Sequence, residues 1–140
     1  MIQKDIEALN ARLFDNMDVE AIQLLVENQK DQTIDATRVW TRWIINPGAS
    51  ETRALGPNPT YTQYGTATLQ IFVPKGLMTG PGNDIRDQFN NLFRGWRSAD
   101  KKLVVDNLKS NTSTYKRGDQ EFYLINAMVF WHSNRKTTDQ

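Results

Sequence analysis

The chain has no cysteine among its 140 residues. Disulfides, thiolate nucleophiles and cysteine-ligated zinc are therefore excluded. It has one histidine, His132, which excludes a multi-histidine metal site. It also lacks an excess of one charge: 17 basic residues against 16 acidic leave a formal net charge of +1. That balance points to neither nucleic acid nor an anionic membrane. No apolar run approaches the roughly 20 residues of a membrane span. The opening "MIQKDIEALNARLF" places charges within its first turns and does not read as a signal peptide. We expect a protein made in a cytoplasm and kept there or assembled from there.

What is present suits one globular domain over residues 1–140: 39% of residues are hydrophobic and 24% charged, enough for a proper core. Ile2, Ile6, Leu9 and Leu13 share one face of a helix expected over 2–14, with Lys4, Asp5, Glu7 and Arg12 mostly elsewhere. In the stretch that follows, "IQLLVEN" reads either as a short strand or as a second helical piece. "TRVWTRWII", 37–45, is rich in β-branched and aromatic residues and predicts a strand. Residues 46–63 hold three prolines and few core candidates, which predicts a long exposed loop. Loops of that length tend to be functional. A strand is expected over 64–73. A helix with the stripe Ile85, Phe89, Leu92, Phe93 and Trp96 comes next. Strands over 102–108 and 120–132 follow, with a turn region between them.

Strand, glycine loop and helix, as in "IFVPKGLMTGPGND" (71–84), is also the layout of a phosphate-binding loop. The chemistry argues otherwise. Gly76, Gly80 and Gly82 have the wrong spacing for a Walker loop, and Asn83 and Asp84 stand where lysine and a hydroxyl are needed. Pro81 removes an amide donor, and Asp84 puts negative charge where a phosphate would sit. Asn83 or Asp84 reads better as a helix cap. The carboxylate pairs Asp15/Asp18, Glu20/Glu27 and Asp119/Glu121 lie in polar stretches and read as solvated charge. His132 reads as an edge or solvent-facing residue. The basic groups Arg94, Arg97, Lys101 and Lys102, and Lys116, Arg117, Arg135 and Lys136, interleave with Trp96 and Tyr115. A nucleic-acid patch has that composition, but solvated charge beside a core tryptophan explains it more simply. We expect no catalytic residue, metal ligand or cofactor.

The last strand is apolar on both faces: Phe122, Leu124, Met128 and Phe130 alternate with Tyr123, Ile125, Ala127, Val129 and Trp131. A sheet with one wet face alternates apolar with polar. Either this strand is covered twice within the chain, or one face meets the chain's own helices and the other a neighbouring subunit.

The segment "RVWTRWIINPG", the stretch "TRALGPNPTYTQYGTATLQIFVPKG" and the loop-helix "GPGNDIRDQFNNLF", with "LVVDNL" and "EFYLINAMVFWH" as closing strands, resemble the tail terminator proteins of long-tailed bacteriophages. The resemblance covers most of the chain through turn and periodicity features. It implies an α+β fold, with a mixed, mostly antiparallel sheet of about four to five strands and two main helices. It implies a structural virion protein that is not an enzyme. Such proteins form a homo-hexameric ring that caps the tail tube, ends its polymerisation and offers a docking surface to the head-side connector. Partners would be the chain itself, the tail tube protein, a connector or neck protein, and a sheath protein if the tail is contractile; genome DNA would pass only through the lumen. A neck, head-tail joining or tail-completion protein is the alternative, and a small nucleic-acid-binding module a more distant one. On this reading the expected contacts are Arg53, Leu55 and Tyr61 in the 46–63 loop, Tyr64, Met78, and Tyr123, Ile125 and Trp131 on the outer face of the closing strand.

Overall fold

The computed structural model describes residues 2–27 and 33–136. Its elements run α1 (Ile2–Phe14), β1 (Leu24–Val26), β2 (Trp40–Ala54), β3 (Thr60–Pro74), α2 (Gly80–Phe93), β4 (Leu103–Arg117) and β5 (Gln120–Lys136). The strands form one sheet in the order β1-β2-β3-β5-β4. β1 is parallel to β2 and every other pairing is antiparallel. This is the expected α+β architecture. The ambiguous stretch yields β1, and its last residue, Asn28, lies outside the described residues.

Both helices pack on one face of the sheet. Leu9 and Leu13 of α1 and Phe89 and Phe93 of α2 close over Trp43, Leu69, Ile71, Ile125, Val129 and Trp131. The odd-numbered residues of β3 and β5 thus make the main core. Trp43 packs its ring against Phe89 and Phe93 and donates its Nε1–H to Asn10 Oδ1 at 2.8 Å. Gly82 lets α2 approach the sheet: a Cβ there would meet Val73 Cγ2 at 2.6 Å and Ile125 Cδ1 at 3.0 Å. The glycine that suggested a phosphate cradle serves close helix–sheet packing.

Three expectations from the sequence need correction. The helix cap is neither Asn83 nor Asp84. The helix starts at Gly80, with Thr79 as N-cap and no side-chain cap bond, because the fixed φ of Pro81 suits a first helical turn. The 46–63 loop shrinks to residues 55–59, since β2 and β3 continue to Ala54 and from Thr60. The turn region before the last strand shrinks to Gly118–Asp119, since β4 runs to Arg117. In both places backbone ladders hold mostly polar residues in strands, so no apolar alternation marks them.

The N-terminus of α1 is tied to β5 by a buried ionic cluster. Asp5 accepts hydrogen bonds from Ser133 Oγ at 2.6 Å and Arg135 Nε at 2.9 Å. Arg135 Nη1 donates to Asp100 Oδ2 at 2.8 Å. Asp5 and Arg135 are almost wholly buried. Asp100 is further held by Ser98 Oγ and by the Lys102 N–H. Partial burial pushes the Asp100 carboxyl up. Its hydrogen bonds from Ser98, Arg135 and Lys102, with the charge of Arg135, outweigh that and hold it well below the usual carboxylate range. Burial likewise opposes the charge on Arg135, but Asp100 and Asp5 raise its pKa on balance. Arg135 therefore does not belong to a solvated basic patch, and Asp5 is part of the core, not of the solvent face of α1.

Candidate assembly surface

The second face of the sheet carries no helix among the described residues. Its side chains are the even-numbered residues of β3 and β5, and they fall into four zones along β5. At one end Phe122 and Leu124 join Trp40 and Phe72 in a second small core. Trp40 stacks on Phe72 with ring centroids 3.9 Å apart. The segment containing Ile34 and Ala36 covers this end, anchored by Gln120 Nε2 donating to Ala36 O at 2.7 Å.

Next comes a polar ladder that crosses four strands. Arg42 donates to Gln70 at 2.7 Å, Gln70 to Asn126 at 3.2 Å, and Asn126 to Asn111 at 2.9 Å. These four residues are cross-strand partners in register. A register slip would break every one of these bonds, so the ladder pins the pairing.

Beyond the ladder lie Met128 and Phe130 of β5, Thr66 and Thr68 of β3 and Ile44 of β2. All are half-buried. Ile44, Thr68 and Met128 are direct cross-strand neighbours, as are Thr66 and Phe130. No described helix or loop is packed on this stripe. The far zone is polar again. Arg53, Thr62, Tyr64, Asp106, His132 and Asn134 line an open groove of about 580 Å³. Arg53 donates to Thr62 at 3.0 Å and Tyr64 at 2.6 Å, and pairs with Glu51 at 2.9 Å. Thr62 donates to Asn134 at 2.6 Å. His132 Nδ1 lies 2.7 Å from Asp106 Oδ2. The lone histidine thus has a carboxylate partner and is half-buried.

The expected contact residues distribute unevenly over this surface. Arg53 and Tyr64 meet in the groove. Leu55 stands at the tip of the β2–β3 arm and is 93% exposed. Met78 is 85% exposed, but its loop follows the other end of β3. Over the 15 residues of that strand the two tips are about 46 Å apart. Tyr61 is half-buried and points to the helix-covered face, opposite to Tyr64. The assignment on the closing strand is reversed. Ile125 and Trp131 are fully buried and Tyr123 packs against the same core, because α1 and α2 cover the odd-numbered face. The outward residues of β5 are Met128, Phe130 and His132. Apolar character on both faces hid which one the helices take. Asp5 was set apart from the apolar face of α1 by sequence, yet it stands four residues before Leu9, within the buried stripe.

The basic residues do not gather into one patch. Lys116 pairs with Glu121 at 3.4 Å, as does Lys75 at 3.2 Å. Arg117 lies over the Trp40 ring. Both stand at the end of β4 remote from Lys101 and Lys102.

No known family model matches the chain, and no curated protein matches it. A solved structure that bears no functional name is similar to it, with a TM-score of 0.67 and 18% identity over 96% of each chain. At that identity the likeness shows the fold alone.

Proposed function

We propose that this chain is a structural protein of a bacteriophage virion, a tail terminator. It forms a hexameric ring at the neck end of the tail, caps the tube, ends its polymerisation and presents a docking surface to the head-side connector. The observation that carries this reading is the one-sided sheet. Two helices cover one face. The other leaves an apolar stripe, Ile44, Met128 and Phe130, between two polar zones. Apolar centres with polar rims are the anatomy of protein interfaces. The β2–β3 arm adds a projecting tip with exposed Leu55. A terminator needs surfaces that match the tube without propagating it, and no chemistry.

Deleting the gene and imaging the lysate tests this. A terminator leaves overlong tails. Normal tails unattached to full heads would instead assign the chain to head-tail joining and overturn the terminator reading.

A further inference from the structure

Among the described residues the sheet has two open edges. One is β4, which has no strand beyond it past the Arg97–Val104 bridge. The other is β2 after Trp43, since β1 pairs only with Thr41, Arg42 and Trp43. Backbone direction alternates along each strand, so the outward groups follow from two bonds. The Thr41 N–H points outward to Gln23 O at 3.3 Å. By alternation Ile45 and Pro47 also point outward, and the register carries this through the bulge to Ser50 and Thr52. The Val105 N–H points outward to Trp96 O at 3.0 Å. Hence Val104 bonds His132, the even residues of β5 face β4, and Leu108, Ser110, Thr112, Thr114 and Lys116 point outward. The Leu108 N–H is taken by Asn107 Oδ1; no described residue bonds the outward N–H groups of Ser110, Thr112 or Thr114.

The two edges complement each other. β2 and β4 run in opposite directions, so head-to-tail copies would meet as an antiparallel pair. Both outward sets carry their side chains on the helix-covered face, so the two faces would continue from copy to copy without a flip. Charge selects the register. With Ile44 opposite Tyr115, Glu51 falls opposite Lys109. A shift of two residues one way puts Arg53 against Lys109, and the other way removes the ion pair. Pro47 lacks an N–H and forfeits one bond.

We propose that β4 of one copy takes β2 of the next copy as an added antiparallel strand, Ile44 opposite Tyr115 and Glu51 opposite Lys109. This contact is heterologous, the kind that builds a ring when the rotation between copies closes. It carries the open face of the sheet around the assembly as one continuous surface. It rests on the ring reading above and adds the interface within it.

The absence of native cysteine makes the test direct. Asn46 and Ser113 would face each other as a non-hydrogen-bonded pair, where side chains approach most closely. Within one chain they are three strands apart sideways and six residues apart along the strands, about 24 Å in all, too far for a disulfide. The full chain with Asn46→Cys and Ser113→Cys should give an oxidation ladder of linked chains. Asn46→Cys with Asn111→Cys, two residues out of register, should not. Glu51→Lys and Lys109→Glu should each weaken assembly, and the double exchange should restore it. A ring-sized mass with no ladder from the first pair overturns this inference and leaves the ring reading standing. Linked pairs from Ser113→Cys alone overturn it in favour of β4–β4 pairing. A strictly monomeric mass with no links overturns the ring reading, and this inference with it.

Discussion

The two faces of this sheet are built from alternate residues of the same strands, yet they have different fates. On the odd-numbered face of β5, Ile125, Val129 and Trp131 lie under α1 and α2 and are lost to solvent. On the even-numbered face, Met128 and Phe130 remain half-exposed between a polar ladder and a polar groove. Nothing in the apolar content of the strand separates the two. What separates them is what packs on top. The contrast teaches that alternate residues of one strand can meet opposite fates, one set buried under helices and the other left uncovered by any described element.

Substitutions that break the covered face should cost the most. Trp43→Ala removes a fully packed indole and its bond to Asn10, and should lower unfolding free energy by about 3–5 kcal/mol in urea titration. Arg135→Met strands the buried Asp5 carboxylate and should cost a similar ~3–5 kcal/mol. Adding Asp5→Leu should recover much of that loss, because a buried pair replaced whole costs far less than a pair halved. Asp100 should have a smaller effect with a pH signature. Its folded pKa is depressed, so its contribution is present above the unfolded value of about 3.9 and is lost as pH falls below it. Asp100 is partly exposed, so the increment is about 1 kcal/mol or less. Asp100→Asn should therefore flatten the acid limb of the stability profile and leave its shape near neutrality unchanged.

The open face should behave in the opposite way. Met128→Gln should change the unfolding free energy by about 1 kcal/mol or less, yet fail to restore normal tail length in a deletion lysate. Leu55→Asp, at the arm tip, should be within about 0.5 kcal/mol of the parent in stability while impairing docking or ring assembly. Normal complementation by both variants would remove the open face and the arm from the account.

Much of the fold was legible because its helices carry clean stripes. Leu9 and Leu13, then Phe89 and Phe93, repeat at helical spacing and are buried. The arms were not legible. Residues 46–54 and 109–117 are held by backbone pairing, and apart from Tyr115 their side chains are exposed, so they show no apolar period. The positions of the expected contact residues were only partly legible as neighbours in the fold. Arg53 and Tyr64 do meet, but Ile125 and Trp131 were placed on the wrong side because a doubly apolar strand does not declare which face the helices will take. The polar residues Ser133 and Arg135 share that covered face. Their partner, Asp5, lies some 130 residues away, a distance no local pattern bridges.

The central claim is that the bare face and open edges serve a closed assembly of identical chains. The mass of the full chain in solution, followed across rising concentration, tests it most directly. The account predicts a discrete species of six chains. A strict monomer at the highest concentration reached would contradict it.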